Sequence, residues 1–303
     1  MHYSFLKAGL GPNDVPKEGA VRIPRLIWQT VRDMHALDPE IQTCVHRLRT
    51  LNLAWKHQLF DDRSQLEFLQ SVCSDRFMRA YHRIAPEYGA ARADLFRYVA
   101  IFLHGGAYFD IKSGTSRPLD EILHDDDEFL LSQWDNGSAG KFPGAGFSRA
   151  LADIPGGEFE QWFIVARPGH PYLAAVLEQV IENIETYSPY RFGHGAKGVL
   201  NLCGPNAYTR TIHRNLGKGR YRKVVSWPEG IRYTMLGDLN THKRLDKNYY
   251  GRAISAPVTD HGLEGWQRAR YWLLEGSYWP YSRLRWLNHR RLYRRKIRNK
   301  GDL

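Results

Sequence analysis

Ala91-Arg-Ala-Asp94-Leu-Phe-Arg97-Tyr-Val-Ala-Ile-Phe-Leu-His-Gly-Gly-Ala-Tyr-Phe-Asp110 joins an apolar helical pattern to a short strand through a pair of glycines. From about Glu87 to His104 the apolar residues Leu95, Val99, Phe102 and Leu103 recur at helical spacing. Gly105-Gly106 stops that helix, because glycine tolerates the backbone angles a helix end demands. Ala107-Tyr-Phe-Asp110 follows as a short strand. Asp94 and Arg97, three residues apart, share a helix face, and the turn at the glycines brings Asp110 towards them. On these residues alone two readings stand: one pocket that gathers all three side chains, or an exposed intrahelical ion pair followed by a turn.

The same alternation of strand and helix extends outward in both directions. Arg25-Leu-Ile-Trp-Gln-Thr30 reads as a buried strand, and Asp38-Pro-Glu starts a helix with proline at its first position. Leu53 to Phe60 is a second strand running into Asp61-Asp62, and Ser64 with Glu67 signals a capped helix through Cys73. Strands over Phe129–Ser132 and Trp162–Ala166 and a helix over Pro171–Ile184 complete the pattern. Helices between strands imply an α/β fold with a mainly parallel sheet covered on both faces. Ligands in such sheets sit beyond the carboxyl ends of the strands, which selects Gln29-Thr30, Asp61-Asp62 and Asp110 with Lys112. The glycine-rich stretch from Gly137 to Gly157 reads as a long loop, and long loops in compact domains are often functional.

The chain of 303 residues is 43% hydrophobic and 25% charged, an ordinary globular balance with no apolar run long enough to span a membrane. Met1 to Pro24 reads as irregular chain rather than a secretory leader. Cys44, Cys73 and Cys203 are too few and too scattered for a disulfide framework or a zinc site, which suits a reducing, cytoplasmic setting. The expected organisation is an extension over 1–22, one domain over 23–275 and a basic, aromatic tail over 276–303. Much of the net charge of +11 lies in that tail, in Arg283, Arg285, Arg290, Arg291, Arg294, Arg295, Lys296, Arg298 and Lys300.

Taken together, Ile23-Pro-Arg-Leu-Ile-Trp-Gln-Thr30, Asp94 with Arg97, and Gly105-Gly-Ala-Tyr-Phe-Asp110 resemble the family-32 glycosyltransferases. That pattern is a strand ending in Trp or His with Gln-Thr, then Asp-x-x-Arg, then Gly-Gly-x-Tyr-x-Asp-x-Asp. Phe163 to Tyr172, Gly204-Pro205 and His261-Gly-Leu-Glu-Gly-Trp266 are similar to its later landmarks, so the likeness runs from about Ile23 to Trp272. The resemblance implies a GT-A type, Rossmann-like fold and retaining transfer of a hexose to a glycan or lipid-linked acceptor. The donor it implies is a nucleotide-diphosphate sugar, a UDP-sugar first and GDP-mannose second.

Site roles follow from the resemblance. Trp28, with Gln29 and Thr30, would support the nucleobase; Asp94 and Arg97 would grip the donor sugar, and Asp110 would face the diphosphate. Trp266 would belong to a loop closing over donor, while Trp134, Asp135, Gly204 and Pro205 would meet the acceptor. The chain departs from the pattern at Lys112, which stands where the family has a second aspartate. Two arrangements then compete: Asp110 and His261 hold Mn²⁺ or Mg²⁺, or Lys112 itself contacts the phosphates as a point charge.

The acidic run Asp125-Asp126-Asp127 reads as a solvated surface. In the tail, Trp, Tyr and Leu mixed with arginine suit a helix at an anionic membrane surface, placing the enzyme at its inner face. Nucleic acid is not an expected partner, since the charge is confined to one end and the body carries no recognised nucleic-acid motif. The alternative to an enzyme is an inactive relative that binds a sugar nucleotide or glycan.

Overall fold

The computed structural model describes residues 3–10, 22–237 and 253–298, with side chains as far as Arg283. The chain opens with β1 (Leu26–Thr30), α1 (Pro39–Leu51), β2 (Lys56–Phe60), α2 (Asp62–Val72), α3 (Asp75–Arg83) and α4 (Gly89–His104). Then come β3 (Gly106–Phe109), β4 (Gly114–Thr115), α5 (Leu119–Ile122), β5 (Leu130–Gln133), β6 (Phe163–Ala166) and α6 (Pro171–Glu185). The last described elements are α7 (Pro189–Phe192), α8 (Gly195–Leu202), α9 (Pro205–Arg214), β7 (Arg222–Val225), α10 (Ser226–Glu229), β8 (Ile231–Arg232) and α11 (Gly265–Arg298).

The central sheet has the order β2-β1-β3-β6. β1 runs parallel to β2 and β3, with Trp28 opposite Gln58 and Tyr108, while β6 is antiparallel to β3. Alternate residues of β1, β3 and β6 enter two separate clusters. Trp28, Tyr108 and Ile164 pack against α2, α3, α4 and α6; Ile27, Ala107 and Val165 pack with Leu48, Leu119 and Ile122 on the other side. Both faces are therefore covered, which is the expected architecture of a mainly parallel sheet flanked by helices. β5 pairs in parallel with β7, and β4 antiparallel with β8.

The glycine pair at the α4–β3 turn is sterically required. Gly105 and Gly106 have φ of 65° and 95°, and a Cβ on Gly106 would lie 2.4 Å from the Leu26 carbonyl oxygen. The close approach lets the Trp28 indole donate a hydrogen bond to the Gly105 carbonyl, 2.9 Å away.

Several boundaries differ from expectation for local reasons. α2 begins at Asp62, because Asp61 and Ser64 cap each other's backbone amides; Glu67 instead pairs with Arg63. β2 begins at Lys56, leaving Leu53 exposed. Part of the expected extension is packed: Phe5 is fully buried, and Tyr3 meets Phe102 edge-on at 4.8 Å. The boundary placed between residues 275 and 276 falls inside α11. Lys300 and the tail side chains beyond Arg283 lie outside the described residues, as does 11–21 of the extension. No described helix is long and apolar enough to cross a membrane.

Candidate active site

α4 is buried along almost its whole length, Asp94 and Arg97 included, so the exposed ion pair is ruled out. The Arg97 guanidinium lies between two carboxylates, with Nη2 3.3 Å from Asp94 Oδ1 and 3.1 Å from Asp110 Oδ1. It sits 4.4 Å from the centre of the Tyr108 ring, and its Nη1 donates to the Gln161 carbonyl at 2.9 Å. Asp94 Oδ1 accepts from the Gln161 amide at 2.9 Å, and the Cys203 thiol donates to Oδ2. Burial pushes the Asp94 carboxyl up to about 6, against the pull of Arg97 and of Gln161. The chain Asp94–Arg97–Asp110 opens onto a cavity of about 810 Å³.

Asp110 is set by the turn that follows β3. Its amide donates to Trp162 O and its carbonyl accepts from the Ser113 amide, while the Gln29 side chain donates to the same carbonyl at 3.3 Å. Gln29 Oε1 accepts a hydrogen bond from His57 Nε2 at 2.9 Å; burial lowers the His57 pKa to about 4, so the ring is neutral at physiological pH. Lys112, two residues on, holds its Nζ 3.9 Å from Asp110 Oδ2 and 4.1 Å from the Tyr233 ring centre. Met235 N donates to Lys112 O and Ser113 Oγ to Tyr233 O, so the segment after β8 is strapped beneath this turn.

Of the residues expected at the site, Thr30, Asp94, Arg97, Asp110, Lys112, Trp134, Gly204 and Pro205 all line this cavity. Trp28 does not; it is 3% exposed, sandwiched between Phe60 and His104, and has no face left for a base. Gln29 is fully buried and acts on Asp110 from behind. Asp135 caps its own loop by accepting from Lys141 N. Trp266 is 74% exposed on α11, outside the lining. His261 is exposed, its ring 5.9 Å from that of His82, and is also outside the lining.

Sequence reasoning missed Tyr108, Glu158, Gln161, Trp162 and Tyr233, which also line the cavity. Three of them precede β6. Because β6 is antiparallel, its beginning rather than its end reaches the carboxyl edge of β1 and β3.

The metal pair Asp110 and His261 is thus not assembled. Around Asp110 the side chains offer one carboxylate facing two cations. A divalent ion about 2 Å from Oδ2 would stand no more than roughly 6 Å from the Lys112 ammonium, a repulsion of at least about 5 kcal/mol at an effective dielectric constant of about 20. These residues do not fit a divalent cation held by side chains. Among the described residues the one cluster of three ligating groups is His124, Asp126 and Asp127. It precedes β5, at the end opposite Trp134, and both Asp127 oxygens accept from Arg222.

Residues 38–129 match the sequence model of a family described as "Glycosyltransferase sugar-binding region containing DXD motif". The initiation-specific alpha-1,6-mannosyltransferase of Schizosaccharomyces pombe is 25% identical over 204 residues, which cover 63% of this chain and 48% of that protein. The Candida albicans protein of the same name is 25% identical, with 70% and 61% covered. Inositol phosphoceramide mannosyltransferase 3 of S. pombe is 26% identical over 37% of this chain and 30% of its own length. The chain spans less than two thirds of the length of each of these relatives. Among solved structures, the PaToxG glycosyltransferase aligns with a TM-score of 0.47 at 15% identity, covering 64% of this chain and 70% of that one.

Proposed function

We propose, from this chain's kinship with the family-32 glycosyltransferases through a sugar-binding region that holds Asp94, Arg97 and Asp110, that it transfers a hexose from a nucleotide-diphosphate sugar to a glycan or lipid-linked glycan. One observation carries the reading: the buried Asp94–Arg97–Asp110 chain opens, beside Lys112, into the cavity. Burying charges is costly, and an arrangement of this kind in a cleft marks a functional site. The named relatives are mannosyltransferases, which makes GDP-mannose the first donor to test and UDP-hexoses the next.

In this reading an acceptor hydroxyl attacks the anomeric carbon while the bond from that carbon to the diphosphate oxygen breaks. The electron pair leaves with the diphosphate, which takes the hydroxyl proton on the same face, so configuration is retained. Negative charge builds on the leaving oxygen, and fixed cations beside it lower the barrier most. Lys112, with Arg97 behind it, supplies that charge. Asp94 and Arg97 meet hydroxyls of the donor sugar, and Asp110 keeps both cations in place. No step is routed through a metal.

The test is nucleotide release from GDP-mannose and a set of UDP-hexoses in the presence of methyl glycosides as soluble acceptors, with Asp110→Ala as control. Release by the natural protein, lost in a folded Asp110→Ala variant, is expected. A rise in melting temperature with nucleotide sugar but no release would instead establish an inactive binder, the reading that Lys112 in place of a carboxylate favours.

For the partner surface we propose an anionic membrane reached through α11. Trp266, Trp272 and Trp279 are 74%, 58% and 56% exposed on that helix, and its C-terminal part is dense in arginine.

A further inference from the structure

The cavity has two ends of different chemistry. One is the charged end already described. The other is walled by Trp134, Trp162 and Tyr233, whose ring centres lie 5.1 to 6.1 Å apart, with Glu158 among them. Glu158 Oε1 accepts from the Trp134 indole at 3.0 Å. No hydrogen bond to Oε2 is found among the described residues, and Oε2 is not sealed away as a buried orphan. Half of that carboxylate therefore faces the cavity. Tyr233 joins the two ends, since its ring lies under Lys112 and its hydroxyl is held protonated by burial and by both Asp110 and Glu158.

This end is rigidly built. Glu158 N donates to Gly146 O, and the Gln133 amide donates to Pro155 O and Gly157 O, folding the 137–157 loop back on Trp134. The fold-back needs glycine: a Cβ on Gly146 would lie 2.5 Å from Trp134 Cδ1, and one on Gly157 2.7 Å from Gly146 O. Beneath the wall, Glu160 accepts from Ser132, Ser226 and the Trp162 indole, which fixes that ring as well.

Aromatic faces beside an open carboxylate suit one ligand chemistry. A sugar ring presents a C–H face that packs on aromatic rings, and a rim of hydroxyls that donate to a carboxylate. A phosphate or sulfate would meet Glu158 as a like charge. We infer that this end is the acceptor subsite and takes a neutral sugar residue, with Glu158 Oε2 accepting from its hydroxyls and Trp134 and Tyr233 flanking the ring. The inference rests on the reading that the charged end binds donor. It sets the selection against an acceptor whose reacting end is a bare lipid phosphate.

Binding can be read without turnover. Methyl glycosides of mannose, glucose, galactose and N-acetylglucosamine, with inositol 1-phosphate as the anionic counterpart, are titrated by ligand-observed NMR against the full chain. At least one neutral glycoside should bind saturably. Glu158→Ala should weaken it about tenfold or more, the scale of a hydrogen bond to a charged group, with Glu158→Gln recovering part of the loss. The affinity for GDP-mannose should fall by less than the glycoside affinity in both variants, because Glu158 reaches the charged end only through Tyr233. Binding of no neutral glycoside, tighter binding of inositol 1-phosphate, or an undiminished affinity in a folded Glu158→Ala variant overturns the subsite. Failure of the natural protein to bind or cleave any nucleotide sugar would instead sink the donor reading, and the glycoside titration would stand apart from it.

Discussion

Lys112 holds its ammonium 3.9 Å from Asp110 Oδ2, too far for a direct hydrogen bond but close enough for each charge to decide what the other can bind. The position that carries a second carboxylate in the family pattern therefore carries the counter-charge to the first. Transfer should persist in EDTA, and added Mn²⁺ should change the rate little. Lys112→Ala should lower kcat by about 100-fold or more, the scale of deleting one transition-state donor. A rate abolished by EDTA and restored by Mn²⁺ would show that a donor-bound cation does this task.

Arg97 is the one cation that touches both Asp94 and Asp110 among the described residues. Arg97→Ala should remove activity and also destabilise the fold by about 3–5 kcal/mol, because two carboxylates are left facing each other without their partner. Urea unfolding with Arg97→Lys alongside checks this. Lysine should regain part of the stability but little of the activity, since it cannot bridge two carboxylates with one planar group.

The site was legible where the chain runs with the sheet. The rule that ligands gather at the carboxyl ends of parallel strands finds Thr30 at the end of β1 and Asp110 after β3, and the glycine pair announces the turn that unites Asp110 with Arg97. It fails at β6, whose antiparallel course brings Glu158, Gln161 and Trp162 to the site from the side the rule ignores. Trp28 shows another limit: a strand pattern tells which face a side chain takes but not that Phe60 and His104 cover it. Asp135 adjoins Trp134 in the sequence and Glu158 does not; only the loop's folding shows that the former caps its own turn and that the latter bonds the Trp134 indole at the cavity.

Glu160 gives a stability prediction with a definite sign. Burial raises its carboxyl to about 7, against the hydrogen bonds from Ser132, Ser226 and Trp162. Between its unfolded value near 4.5 and about 7 the native state keeps a proton that the unfolded state has released, so stability falls as pH rises through that window. Glu160→Gln keeps the shape and cannot ionise. It should match the natural protein near pH 4 and exceed it at pH 8 by up to roughly 3 kcal/mol, read as a shift in the urea midpoint. Parallel pH curves for the two proteins would contradict the assignment.

The exposed aromatic side chains of α11 lead to a prediction about where the enzyme works. Trp266 and Leu273, 74% and 68% exposed, lie seven residues apart and so on one side of the helix, whose C-terminal part is rich in arginine. Indole and leucine side chains settle at the headgroup boundary, and each nearby arginine adds about 1 kcal/mol of attraction to an anionic surface. The protein should sediment with vesicles containing phosphatidylserine, not with phosphatidylcholine alone, and salt should release it. Removing 284–303 should abolish sedimentation, and Trp266→Ser with Leu273→Ser should weaken it. Both variants should still release nucleotide in the presence of a soluble acceptor, because no described side chain of α11 lines the cavity. Equal sedimentation with neutral and anionic vesicles, or full sedimentation after the truncation, would place the membrane contact elsewhere.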